Sequence, residues 1–491
     1  MNMLRALKKC LPVLLLSLQI WSGCIHAKSA EPSPREEGRD LMQWLADEDL
    51  HDIDDENWNL YGQMTFINAW KPSFPASYTN FDNPSGNSLY PSQERSFTGT
   101  ATLFLAGRAW KGGEFYFVPE AISERALSSL KGLGSAIQNF ELQKSGLQEP
   151  TYYISRGFYK QTWGFGGDRQ VVTSDPMQLG VTEDSRRFVF RFGAFSILDF
   201  FDKNSYSGDL RKQFDNMAFL TYAAYDFAAD ARGYTWGAVA EFIYDDWAVR
   251  FGHILPPRNP NQLALNTEAA FRYFGQQIEL EHHHEIRGQP GAVRLLAYRN
   301  VENMAKFSDS IAMFNADPAR YNATTCVNFN YGSSDPNAPD SCWARKPNIK
   351  SGIGLNLEQQ AWDDLGLFFR GMYSDGQTEV YSYTSTDRSI SLGGILKGRR
   401  WGRKDDSIGL GYAAGFLSAS HVQYLAMGGI DGFIGDGKIH YAPEQVLDTF
   451  YSYNVWNEIW LTGDYQFIAN PAYNTDRGPV NIFSARIHVE F

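Results

Sequence analysis

The chain ends in SARIHVEF, residues 484–491, where Arg486, His488 and Glu490 alternate with Ala485, Ile487, Val489 and Phe491. Side chains of a strand point alternately to its two faces, so this segment has one wholly apolar face and one ionisable face. A terminus in water would normally fray. Stopping on a bare aromatic ring instead suits a strand that ends where a membrane ends, with its charges turned to water and its apolar face to lipid.

The same period of two recurs upstream. In FTGTATLFLAGRA, Phe97, Gly99, Ala101, Leu103, Leu105, Gly107 and Ala109 share one face, and Thr98, Thr100, Thr102 and Arg108 the other. RFVFRFGAF sets Phe188, Phe190, Phe192 and Ala194 against Arg187, Val189, Arg191 and Gly193. LGLFFRGMY sets Leu365, Leu367, Phe369, Gly371 and Tyr373 against Phe368 and Arg370, and WAVRFG sets Val249 and Phe251 against Arg250. In IWLTGDYQF, Leu461, Gly463, Tyr465 and Phe467 oppose Thr462, Asp464 and Gln466.

Two architectures carry such ladders. A soluble β-sandwich would turn the apolar face into a core, and a transmembrane barrel would turn it to lipid. Gly and Ala recur on the apolar face, where lipid conforms but a close-packed core would be left with voids. Beyond the N-terminal leader no stretch approaches the ~18 apolar residues of a membrane helix, yet 15% of the residues are aromatic, as two interfacial girdles require. The expectation is therefore an all-β, transmembrane antiparallel β-barrel whose last strand pairs with its first. Short turns (WKGGE, RGQPG, GRKDD) alternate with long polar stretches (69–95, 121–150, 306–350, 428–448), which predicts two unlike rims. Residues 57–491 suffice for roughly 14 to 18 strands, and 16 to 18 leave an aqueous interior.

The N-terminus predicts export. Arg5, Lys8 and Lys9 precede the apolar run Leu11 to Trp21, and CIHA ends at Ala27 with a small residue, so residues 1–27 read as a signal peptide. A competing lipoprotein-type cleavage at WSGC lacks the usual leucine, because Trp21 stands there. Residues 28–56 are acidic and poor in β-branched residues, and read as a mostly disordered arm with at most one short helix around Leu41 to Asp49. The barrel domain then occupies 57–491. Cys10 and Cys24 leave with the signal, and Cys326 and Cys342 are expected to close a disulfide in an oxidising compartment. With a formal net charge of −12, nothing points to nucleic acid.

The chain also resembles the carbohydrate-selective outer-membrane porins of Gram-negative bacteria, the OprB-type family. The resemblance runs through SFTGTATLFLAGRAWKGGEFYFVPE, ISRGFYKQTWGFGG, FGAFSILDFFDKNSY, YDFAADARGYTWGAVAE, GLNLEQQAWDDLGLFFRGMYSDGQTE, RSISLGGILKGRRWGRKDDSIGLG and DYQFIANPAYNTDRGPVNIF. It implies a 16-stranded barrel in the cell outer membrane, a pore narrowed by long extracellular loops folded inward, and facilitated diffusion of monosaccharides such as glucose into the periplasm. The alternative is a general or anion-preferring pore, and a barrel-based enzyme or adhesin is the remote rival, since no nucleophile elbow, phosphate loop or paired-carboxylate motif is present. Expected partners are sugars, outer-membrane lipid and lipopolysaccharide, and the barrel-assembly machinery through Phe491. A homo-oligomer is left open.

A sugar needs hydrogen-bond partners to replace its hydration shell, held weakly enough to let it leave. The ladders offer Arg108, Arg156, Lys160, Arg191, Arg250 and Arg370 as inward donors, with Glu120 and Glu241 as acceptors. The family pattern adds Arg95, from QERSF, and reinforces Glu120. Merely hydrating a wide lumen is the plainer role for any one of them. No cofactor or metal is expected. In EHHHE (281–285), His282 and His284 share one strand face and His283 the other, so the three cannot converge on one ion without a bulge. DFFDKNSYSGDL resembles a calcium loop at Asp202, Asn204 and Gly208, but Tyr206 occupies a ligand position and no glutamate closes the site.

Overall fold

The computed structural model describes residues 40–79, 86–139, 147–268, 270–456 and 458–491. The signal segment and residues 28–39 of the arm lie outside the described residues, and the described residues form one compact unit.

In chain order the strands are β1 (Trp58–Lys71), β2 (Glu94–Trp110), β3 (Gly113–Arg125), β4 (Thr151–Gly164), β5 (Arg169–Val172), β6 (Val181–Asp184), β7 (Arg186–Phe195), β8 (Thr235–Tyr244) and β9 (Trp247–Ile254). They continue as β10 (Phe274–Ile286), β11 (Gln289–Met304), β12 (Lys346–Trp362), β13 (Leu365–Ser374), β14 (Arg388–Lys397), β15 (Ser407–Phe416), β16 (Glu444–Trp456), β17 (Ile459–Ala469) and β18 (Val480–Glu490). Sixteen of them close into an antiparallel barrel, and β5 and β6 form a separate hairpin. No helix among the described residues is long and apolar enough to cross a membrane.

Closure falls where the terminal strand predicted it. β18 pairs with β1 from Gln63↔Glu490 to Trp70↔Phe483, and Phe491 extends the ladder by exchanging hydrogen bonds with Gly62 at 2.7 and 2.9 Å. A Cβ on residue 62 would stand 2.3 Å from the Phe491 ring, so glycine there admits the terminal aromatic. Outward-facing Met64, Phe66, Leu103, Leu105, Phe115, Phe117, Leu367, Leu461 and Ile487 are exposed, as a lipid-facing band requires. Trp110, Trp247 and Trp362 ring the short-turn rim, and Trp70, Tyr152 and Tyr373 the opposite one.

The barrel is not hollow. The connection 196–234 turns inward, and its Phe201, Leu210, Phe214, Met217, Phe219, Tyr222, Tyr225 and Phe227 form the centre of the main buried cluster. Residues 126–139 fold in beside it, where Glu444 accepts hydrogen bonds from the backbone of Gly134, Ser135 and Ala136, and Met217 N bonds to Ile137 O at 2.9 Å.

The one short helix expected around Leu41 to Asp49 is present, and the stretch after it packs against the barrel. A helix, Leu41–Asp47, is capped by Asp40 and inserts Met42, 0% exposed, against the inward-facing Tyr61, Phe104 and Val118. Glu56 is buried, accepting from Ser174 Oγ and Gly180 N (both 2.7 Å) and from Asn59 Nδ2 at 3.0 Å.

At the long-loop rim the expected Cys326–Cys342 bond is present, with Cα atoms 6.5 Å apart. Nearby, a fully buried histidine ties two loops together: His421 Nδ1 lies 3.1 Å from Asp387 and Nε2 3.2 Å from Asp431, with Phe307 stacked on the ring at 4.3 Å. Burial pulls His421 down, but Asp387 and then Asp431 outweigh it and raise it to about 9. Burial also acts against Asp387, yet His421 holds it below its ordinary value, whereas burial keeps Asp431 above. A raised histidine stabilises fully below about 6.5 and loses that contribution as pH climbs through 9; the depressed Asp387 contributes above its ordinary 3.8, while Asp431 opposes both. The clasp should therefore be firmest between about pH 4 and 6.5 and loosen toward pH 9 and beyond. His421→Ala, leaving Asp387 buried and unpaired, should lower stability by about 3–5 kcal/mol and abolish the alkaline loosening, read as loop proteolysis and thermal unfolding against pH.

Candidate lumen site

Antiparallel register places the inward charges of neighbouring strands side by side. Glu114 lies opposite Lys160, and Lys160 opposite Arg191. Glu241 lies opposite Arg250, and Arg250 opposite Glu279. Glu281 lies opposite Arg294, Arg294 opposite Asn356, and Asn356 opposite Arg370. The wall from β3 to β13 thus carries a ladder of closely spaced acids and bases, broken where Lys160 adjoins Arg191 and where Asn356 stands between Arg294 and Arg370.

Its rungs are connected. Lys160 meets Glu114 at 3.0 Å and Arg191 meets Glu241 at 2.8 Å. Arg250 divides its guanidinium among three carboxylates, Glu241 at 2.5, Glu281 at 2.8 and Glu279 at 2.9 Å. Arg294 bonds to Glu281 and, at 3.2 Å, to Glu358. Arg156 grips Asp199, at the start of the infolded loop, with bonds of 2.7 and 2.8 Å. Arginine suits these posts because its planar fork reaches several oxygens at once, where lysine presents a point charge.

Opposite the ladder the loop contributes Lys203, exposed and within the electrostatic field of Asp199, Arg156, Arg250 and Arg294. Its ammonium has no hydrogen bond or ion pair among the described residues. Within the field of Arg156, Glu120 accepts from Thr102 at 2.8 Å, Tyr234 at 3.2 Å and Tyr153, with Arg211 at 3.5 Å. Tyr153 and Tyr234 lie 6.0 Å apart, and each carries a guanidinium over its ring, Arg232 at 4.4 Å and Arg156 at 5.2 Å. Polar donors and acceptors interleaved with aromatic faces are the surface a sugar can exchange its water for.

Of the residues named from sequence, Glu120, Arg156, Lys160, Arg191, Glu241 and Arg250 face inward and belong to this assembly. Arg370 faces inward but is 1% exposed; it binds Asp202, Ser207 and the Phe219 carbonyl, pinning the loop rather than meeting solute. Asp202 also accepts from Thr221 and Asn356, so side chains of the protein fill the place where the calcium-like pattern would hold an ion. Arg108 sits at the short-turn rim, held by Asp55 at 2.6 Å and the Gly180 carbonyl, where it clamps the arm. Arg95 is misassigned: it lies opposite Trp70 on the exposed face shared with Leu103 and Leu105, and counting by two from Phe97 would have revealed this.

The terminal charges also need correction. Arg486 faces inward, but it bonds to Asp215 at 2.7 Å and to the Leu210 and Gln213 carbonyls, so the loop and not water surrounds it. Sequence reasoning missed Arg294, Glu279, Glu281 and Lys203. The first three share parity with residues of their own strands, whereas Lys203 belongs to a loop whose course no periodicity encodes. A bulge in β4 between its pairings with Val118 and Pro119 turns both Tyr153 and Arg156 inward, which strict alternation forbids.

A closed 16-stranded barrel with an infolded loop and a charged inner wall defines a porin, a diffusion channel of the outer membrane. The chain belongs to the carbohydrate-selective porins of the OprB family, whose model matches residues 91–491. Among solved structures, the high-pH form of Pseudomonas putida OprB is similar at 15% identity and TM-score 0.61, covering 91% of this chain and 96% of its own. Vibrio cholerae OmpT, in trimer form, reaches 10% identity and TM-score 0.43 over 88% of this chain and 99% of its own. Pseudomonas aeruginosa OccK2 gives 8% and 0.40 over 88% and 97%. Among curated proteins no sequence relative matches.

Proposed function

We propose that monosaccharides such as glucose pass, chemically unchanged, through the space between the charge ladder and the loop residues around Lys203. The observation that carries this reading is the ladder itself: nearly every charge is already paired across strands, so the wall offers many directional hydrogen bonds with little net field. Such a surface favours neutral polyols over ions, and each contact is weak enough to release. Arg156, Arg191, Arg250 and Arg294 supply donors, Glu120, Glu241 and Glu281 acceptors, and Tyr153 and Tyr234 the faces for C–H groups. The strand ending in Phe491 serves as the recognition element for the barrel-assembly machinery.

In a planar bilayer, glucose added to one side should reduce single-channel conductance saturably. Lys203→Ala should weaken that block by about tenfold, the worth of one charge-assisted hydrogen bond. Uptake that rises linearly for every small solute, with no block, would refute sugar selectivity. The unpaired Lys203 favours a second reading, an anion-preferring pore, and strong chloride preference without sugar block would establish it.

A further inference from the structure

Arg95 and Arg125 stand on the outward face of the barrel at the long-loop rim, which in an outer-membrane barrel is the extracellular one. Arg125 lies directly opposite Phe97 across β2 and β3, and Arg95 is two residues from Phe97 on the same face, so the arginines are diagonal neighbours about 7–8 Å apart at their origins. Both are exposed. Neither makes a hydrogen bond, ion pair or ring contact among the described residues. The acids beside them in sequence turn away: Glu94 faces inward, 3.4 Å from Lys71, and Glu124 is buried. Flanking the pair on the outward surface are Trp70, opposite Arg95, and Tyr152, opposite Ala121, which is 78% exposed.

Two unpaired guanidiniums at the edge of a hydrocarbon band are unfavourable unless a counter-charge comes from the membrane itself. The other outward arginines of this rim differ, since Arg388 lies over Tyr373 at 4.7 Å and Arg299 over Phe274 at 6.0 Å. We infer that Arg95 and Arg125 form a binding site for the phosphates of an outer-leaflet phosphorylated glycolipid, lipopolysaccharide, with Trp70 and Tyr152 against its acyl-proximal sugars. Guanidinium forks match phosphate oxygens bidentately, and the aromatic pair sits at the depth where the headgroup begins.

The test is retention of bisphosphorylated lipid A by the purified full-length mature barrel in detergent, read by native mass spectrometry. Dephosphorylated lipid A and inorganic phosphate serve as the other probes. The wild type should retain lipid A on the order of tenfold more tightly than its dephosphorylated form, and R95Q/R125Q should lose about the same factor. Equal retention of the two lipids, or undiminished retention by R95Q/R125Q, overturns the proposal. Inorganic phosphate binding as tightly as lipid A would assign the site to free phosphate and overturn the lipid. R299Q/R388Q is the comparison: it should retain lipid A as the wild type does, and a matching loss would mean diffuse attraction and no site. Heat-modifiable gel mobility confirms that each variant is a closed barrel.

Discussion

Replacing Arg370 by alanine should turn a constricted, sugar-blocked channel into a wide, unselective one. Arg370 lies at the middle of β13, and its three guanidinium nitrogens all bond to the infolded loop, to Asp202, Ser207 and the Phe219 carbonyl. Removing it strands the buried carboxylate of Asp202, and breaking a buried pair in this way is destabilising by about 3–5 kcal/mol. The barrel ladder does not depend on that side chain, so the loss should fall on the loop. Conductance should rise severalfold with larger fluctuations, and block by glucose should vanish, while the heat-modifiable barrel persists. Arg370→Lys should recover little, since one ammonium cannot span the same acceptors. Normal conductance and normal sugar block in R370A would show that Asp215, Arg486 and the apolar cluster hold the loop without this pin.

Replacing Arg250 by methionine should give the channel a cation preference. Its guanidinium is the shared counter-charge of Glu241, Glu279 and Glu281, and without it those carboxylates, on the two strands flanking β9, converge on the space it filled. Repulsion among like charges at such spacing destabilises the wall, and the local field becomes acidic. Reversal potentials under a salt gradient should move toward cation preference, thermal stability should fall, and glucose should bind more weakly through the loss of a central donor. The double variant R250M/E241Q should restore part of the stability but none of the sugar block. Unchanged reversal potentials in R250M would place the conduction path away from the ladder.

The two variants separate what holds the constriction from what lines it, and the sequence did not distinguish them. Arg250 and Arg370 look alike there, each a lone arginine on an otherwise apolar strand. Their fates diverge because the loop lies against one wall and leaves the other open: Arg370 meets Asp202 across 168 residues of chain, whereas Arg250 finds its acids on the two strands next to it. Arg108 and Arg486 were diverted by the same kind of distant partner, Asp55 in the arm and Asp215 in the loop.

By itself the sequence determined the barrel, its closure through SARIHVEF, the alternation of short and long connections, the Cys326–Cys342 pair and the facing of most wall charges. The barrel, its closure and the wall facing follow from side-chain alternation, a local property that any stretch of strand displays; the connections follow from turn composition and the disulfide from the export signal. Only the tertiary structure decided which inward charges remain open to solute, that residues 40–56 fold against the inner wall, and that the bulge in β4 turns Tyr153 inward beside Arg156. Those outcomes depend on where irregular segments travel, and the path of a loop is set by distant contacts that leave no period in the chain.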